Sequence, residues 1–150
     1  MPWLAYPMAA LFAVLALAAL PFWRGSLPLP PALRALTPPD MPWGAADALA
    51  AVAPQPVFSD MQWASYLEWR LPADRNLFID TRFELFPPEQ WEQYGTISGG
   101  LAPSLLNELG VDAVLAHHDR QGPLIAWLRQ QPDWRPLLED HYSSAWVRQP

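Results

Sequence analysis

The stretch Leu109-Gly-Val-Asp-Ala-Val-Leu-Ala-His-His-Asp-Arg-Gln-Gly-Pro-Leu-Ile-Ala-Trp-Leu128 decides the fold. Gly110 stops whatever precedes it. Val111 to Ala116 is a short apolar run of the kind a sheet buries on both faces. The polar cluster His117-His118-Asp119-Arg120 ends that run. Pro123 then opens a helix that continues to Gln131, with Leu124, Ile125 and Leu128 on its apolar side, and Pro132 closes it. A buried strand, a polar turn and a helix in succession are the repeating unit of an α/β layer.

The same alternation extends upstream. Val57-Phe58 is short and β-like. Ser59-Asp-Met-Gln62 has the form of a capping box, so a helix is expected from Asp60 to about Arg70. Pro72 to Arg75 makes a turn. Leu77-Phe78-Ile79 reads as a buried strand ending in Asp80, and Thr81 to Phe86 alternates polar and apolar side chains. Pro87-Pro88 starts a helix with Glu89 in its first turn and Trp91 and Tyr94 on one face. Ser98-Gly99-Gly100 interrupts the chain, and Leu101 to Leu109 forms a second helix with Gly110 as its stop. Downstream, Trp134 to Leu138 and Ser143 to Val147 form a terminal hairpin. This order predicts a small Rossmann-like α/β fold, a mostly parallel sheet with helices on its faces and a C-terminal antiparallel hairpin.

Outside residues 57–150 the composition changes. The chain has 150 residues, 19 of them Pro and 9 Trp, and no Cys. The first charged side chain is Arg24, and all 15 acidic residues follow it. Residues 1–23 are therefore expected to form a transmembrane helix of roughly 30 Å, with Trp3 and Tyr6 at one interface and Phe22 and Trp23 at the other. Residues 24–56 read as a Pro-rich linker. Asp40 caps a short helix at about 41–52 within it, carrying Trp43, Ala46, Leu49 and Ala50 at helical spacing. Residues 57–150 form the soluble α/β domain, whose 13 acids and seven Arg account for the whole net charge of −6.

Several chemistries are excluded at once. Without Cys there is no disulfide framework, thiolate metal site or Cys nucleophile. Every basic residue is Arg, so Schiff-base chemistry and a P-loop lysine are absent. An acidic chain is a poor match for nucleic acid. No glycine-rich nucleotide motif or nucleophile elbow occurs. His117 and His118 are neighbours and point to opposite sides of an extended chain, so no metal site is expected, and no cofactor is called for.

In an open parallel sheet ligands collect at the carboxyl ends of the strands. Those ends carry Ser59 and Asp60, then Asp80 and Arg82, then His117, His118 and Asp119. Among them Asp60, Asp80, Arg82 and His117 are candidate ligand-binding residues. The competing expectation is structural: Asp60 or Asp80 accepts paired hydrogen bonds from Arg82 and ties two strand ends together. Trp63, Tyr66, Trp91 and Tyr94 lie at i, i+3 spacing on two helices and are the candidate face for a membrane or partner.

The segments Phe58-Ser-Asp60, Trp63-Ala-Ser-Tyr-Leu-Glu-Trp69, Leu77-Phe-Ile-Asp-Thr-Arg-Phe-Glu-Leu-Phe86 and Trp91-Glu-Gln-Tyr94, with Leu109 to Leu115 and the terminal hairpin, resemble one known pattern. It is the C-terminal extracytoplasmic region of large bacterial multi-pass membrane proteins of the GT-C glycosyltransferase type, which use lipid-linked sugar donors. The resemblance covers roughly residues 40–150 and a last span. It implies that Asp60, Asp80, Arg82 and Glu84 form the recurrent polar signature of the domain, which makes Glu84 a fifth candidate ligand-binding residue. It implies an accessory or acceptor-recognition domain at the cell membrane, on its extracytoplasmic side. Any hexosyl-type transfer would use catalytic residues outside this chain, so none is assigned here. The implied partners are membrane lipid, a transmembrane bundle of the same or a parent protein, and a lipid-linked sugar. The alternative is a single-pass anchored interaction domain without sugar chemistry.

Overall fold

Successive residues of the central strands face opposite ways, and each side has its own core. Val57, Ala113, Leu115, Ala145 and Val147 face one cluster, while Phe58, Val114, Ala116 and Trp146 face another. This period of two follows from the pleat of a strand. It requires helices on both faces, because both faces are apolar.

In the computed structural model, described for residues 5–18, 38, 40–52, 56–72 and 76–149, the chain forms two units, Met1–Pro39 and Asp40–Pro150. The first contains α1 (Ala5–Ala18), an uncharged helix of 14 residues. In the second, chain order gives α2 (Trp43–Val52), β1 (Val57–Ser59), α3 (Met61–Arg70), a 3-10 turn (Phe83–Leu85), α4 (Pro88–Ser98), α5 (Leu105–Glu108), β2 (Ala113–His117), α6 (Gly122–Leu128), β3 (Trp134–Glu139) and β4 (Ser143–Arg148). Helices α2 and α3 cover one face through Ala45, Ala46, Leu49, Trp63 and Leu67. Helices α4, α5 and α6 cover the other through Ile97, Leu106, Leu124, Ile125 and Leu128.

Two expectations are corrected. The first concerns the sheet, which is mixed, not mostly parallel. Its order is β1-β2-β4-β3, with β1 and β2 parallel and β4 antiparallel to both of its neighbours. The cause lies in the hairpin. β3 contains Pro136, which cannot donate to a ladder and belongs at an edge, whereas Ser143 to Val147 of β4 are all buried. The hairpin therefore inserts β4 beside β2 and leaves β3 outside. Leu77 to Ile79 also falls short of a full strand. It makes a single parallel bridge, Val57 to Leu77, and the carbonyl of Phe78 is taken by the Gln90 side chain. Beyond it the expected alternation of Thr81 to Phe86 becomes the 3-10 turn, because the Asp80 carboxylate accepts the Arg82 N–H at 2.7 Å and bends the chain.

The second correction concerns the transmembrane helix. Among the described residues no helix is long and apolar enough to cross a membrane. At 1.5 Å per residue α1 is about 21 Å long, short of a hydrocarbon core of about 30 Å. The expected interface residues Trp3, Phe22 and Trp23 lie outside the described residues, as does most of the linker.

The break at Ser98-Gly99-Gly100 has a specific geometry. Gly100 has φ +72°, and a Cβ there would stand 2.6 Å from Cβ of Pro123. Glycine is the residue that permits both the left-handed turn and the close approach of α4 to the start of α6.

Candidate functional site

The chain leaves β1 toward one face of the sheet, into α3, and leaves β2 toward the other, into α6. Diverging connections open a crevice at the carboxyl ends of adjacent parallel strands. Here that crevice is occupied by the protein's own side chains. Asp60, at the end of β1, is only 4 % exposed. Its carboxylate caps α3 by accepting the Gln62 N–H at 3.0 Å. It also accepts two hydrogen bonds from Arg120, Nε to Oδ2 at 2.8 Å and Nη2 to Oδ1 at 3.0 Å. This paired geometry is the strong form of an Arg–carboxylate contact.

Trp63 lies against the pair. Its ring is buried, carries the Arg120 guanidinium 5.5 Å above its centre, and stacks on His117 at 5.0 Å. Nδ1 of His117 accepts the Asp119 N–H at 3.1 Å. The neutral imidazole therefore carries its proton on Nε2, which stands 3.7 Å from Oδ2 of Asp40. Nη1 of Arg120 is the same distance from that oxygen. Gln121, buried, closes the floor: its Oε1 accepts the His117 N–H at 3.1 Å, and its Nε2 donates to Ser98 Oγ at 2.9 Å.

A second cluster sits beside Leu77–Ile79. Asp80 is buried and receives the Arg82 guanidinium through both Nε, at 2.9 Å, and Nη2. That contact holds the Asp80 carboxyl below the usual carboxylate range, against the opposing effect of burial. Nη2 of Arg82 also reaches Glu68 of α3 at 2.8 Å. Glu68, Asn76, Leu77, Asp80, Arg82 and Phe86 line an open cleft of about 230 Å³. Phe83 follows at once, 58 % exposed, with its ring stacked on Trp91 at 4.6 Å and 19°. Trp91 in turn meets Phe86 and Tyr94 edge-on.

The five candidate ligand-binding residues thus fall into two groups. Asp60 and His117 meet around Trp63, and Asp80 and Arg82 meet beside Glu68. Glu84 joins neither and lies exposed on the 3-10 turn. Arg82 pairs with Asp80, two residues away, and not with Asp60. The tie between strand ends comes from Arg120, 60 residues beyond Asp60. The sequence reading gives Arg120 and Glu68 no role in a site and places Asp40 only as a helix cap. The clue to Arg120 is its place in the polar cluster that ends the strand, His117-His118-Asp119-Arg120.

The four aromatic residues of the expected membrane or partner face do not share a face. Trp63 is in the core under α2 and α3, with Tyr66 packed at its margin. Trp91 and Tyr94 pack on the opposite core. Tyr94 stacks on Phe58 at 5.3 Å, its hydroxyl accepts the Met61 N–H at 3.0 Å, and burial pushes its phenol up. Burial, joined by nearby Asp47, likewise raises Tyr66.

Among the described residues no group of three or more His, Asp or Glu is placed to hold a metal ion. Comparison with protein-family models, curated proteins and solved structures finds no match to this chain.

Proposed function

We propose that residues 40–150 act as an acceptor-recognition module, without catalytic residues of their own, for a membrane glycosyltransferase-like protein on the extracytoplasmic side. The observation that carries this reading is the pairing of the strand-end acids. Asp60 is bound by Arg120 and Asp80 by Arg82, so both carboxylates are committed to guanidinium groups. Such an array presents fixed donors and acceptors in place of a proton-transfer group. The sequence resemblance over Phe58–Asp60, Trp63–Trp69 and Leu77–Phe86 supports the same reading. So does α1, whose side chains from Tyr6 to Ala16 are exposed and mostly apolar: a helix bundle of a parent or partner protein would cover them.

The test uses the full chain, a panel of neutral oligosaccharides and a lipid-linked sugar donor. The expected result is saturable binding of an oligosaccharide with no sugar transfer by this chain alone. Transfer by the isolated chain overturns the reading, as does failure to bind any saccharide. The latter outcome leaves an interaction domain without sugar chemistry.

A further inference from the structure

We infer that the cleft between the end of β2 and the tip of the β3–β4 hairpin takes a free α-amino acid with a small aliphatic side chain. This goes beyond the recognition reading above and does not depend on it. His118, Gly122, Ile125, Arg129 and Glu139 line an open cleft of about 260 Å³. His118 directly follows β2, Gly122 and Ile125 belong to α6, Arg129 caps the end of that helix, and Glu139 ends β3. The hairpin tip beyond Glu139 is fixed. Asp140 accepts the N–H groups of Tyr142 and Ser143 at 2.9 and 2.7 Å, and the Tyr142 carbonyl accepts the His118 N–H at 2.9 Å.

The first observation is an acceptor without a donor. Nδ1 of His118 stands 3.2 Å from the carbonyl oxygen of His141. A carbonyl only accepts, so Nδ1 carries the proton and Nε2 of the neutral imidazole keeps its lone pair. Nε2 is screened from water and has no hydrogen-bond partner. It faces Oε1 of Glu139, another acceptor, at 3.6 Å. Two acceptors this close are satisfied by one group that donates to both. An ammonium has three N–H donors and the charge that a carboxylate attracts.

The second observation is the charge beside that pair. Nη2 of Arg129 donates to Glu139 Oε1 at 2.5 Å, and both side chains are about half exposed. Nε and Nη1 of Arg129 and Oε2 of Glu139 have no side-chain partner among the described residues. Because the guanidinium and the carboxylate touch, a simple anion drawn to Arg129 meets Glu139, and a simple cation drawn to Glu139 meets Arg129. A ligand with both charges one carbon apart sets its ammonium on Glu139 and its carboxylate on Arg129 together. That is the common end of every free α-amino acid. The rest of the cleft limits the side chain. Ile125 supplies an apolar wall, and a Cβ built on Gly122 would meet nothing within 4 Å. The volume is smaller than that of a pocket for a drug-sized ligand, which suits a short aliphatic group.

The full chain is titrated with L-valine and followed by the nitrogen NMR resonance of His118 Nε2, which is expected to shift and saturate. N-acetyl-L-valine lacks the ammonium and L-valinamide lacks the carboxylate. Each should bind about tenfold more weakly, as loss of one charge-assisted contact would. Glu139→Gln and Arg129→Gln should weaken L-valine by about the same factor. Gly122→Leu fills the cleft without altering a charged group and should abolish the shift, with near-ultraviolet circular dichroism checking that the fold is kept. The blocked ligands act on wild type itself, so the assignment can fail without any variant. L-valine affinity matched by both blocked forms, or unchanged in folded Gly122→Leu, overturns it. So does a wild-type Nε2 resonance that L-valine leaves unmoved.

Discussion

Asp60 does two things at once. It caps α3 at one oxygen and receives Arg120 at both, while almost wholly shielded from water. Removing the guanidinium leaves a carboxylate with one backbone donor in a shielded place. Arg120→Ala is expected to lower unfolding free energy by about 3 kcal/mol, the lower end for a broken buried pair because the arginine is partly exposed. Adding Asp60→Asn to Arg120→Ala should recover part of that loss, and a double-mutant cycle in urea measures it. Asp80 gives a pH signature. Its folded-state pKa is depressed, chiefly by Arg82, so it contributes stability that is complete above the unfolded value of about 4. That contribution is lost as pH falls through the folded value below it. Wild type should therefore lose stability more steeply than Asp80→Asn below about pH 4, as read by denaturant melts across that range. Both acids were legible in the sequence as the polar residues that close a short apolar run, although only the run before Asp60 is a full strand. Their partners were not equally so, because Arg82 is two residues from Asp80 while Arg120 is remote from Asp60, and no periodicity links positions joined only by the fold.

At the scale of elements, the sequence marks where structure starts and stops better than how strands pair. Gly110 and Pro123 bracket β2 and the start of α6 closely, and Gln62 is capped as the S-x-x-Q pattern implies, although Asp60 is the capping residue instead of Ser59. The sheet order was not readable in the same way, since β3, WRPLLE, is no less apolar than β4, SSAWVR, and either could lie next to β2. Pro136 is the residue that resolves it. Its place in β3 also protects an edge whose backbone groups are otherwise open to a strand from another molecule. Pro136→Val should keep the hairpin and raise concentration-dependent self-association, visible as a mass increase in light scattering. A variant that stays monomeric to the solubility limit would show that the shift in register near Pro136 guards this edge without the proline.

The Asp40–Pro150 unit is two cores with one sheet between them, and this arrangement has a measurable consequence. Leu67 of α3 is buried on one side of the sheet and Leu128 of α6 on the other. Both are fully shielded, so truncation of either removes buried methyl groups and leaves a cavity that its surroundings fill only in part. Leu67→Ala and Leu128→Ala are each expected to cost about 2–5 kcal/mol. Because the two belong to separate clusters, the double variant should lose the sum to within about 0.5 kcal/mol. The sheet nonetheless makes the two faces one folding unit: β2 and β4 contribute alternate side chains to both cores, so neither core persists when the strands separate. Urea unfolding followed by fluorescence should thus stay a single transition in all three variants, coincident with far-ultraviolet circular dichroism. Additive losses with one transition are what a shared sheet requires. Two resolved transitions, one for each face, would mean that α2 and α3 release their core while the rest of the sheet holds.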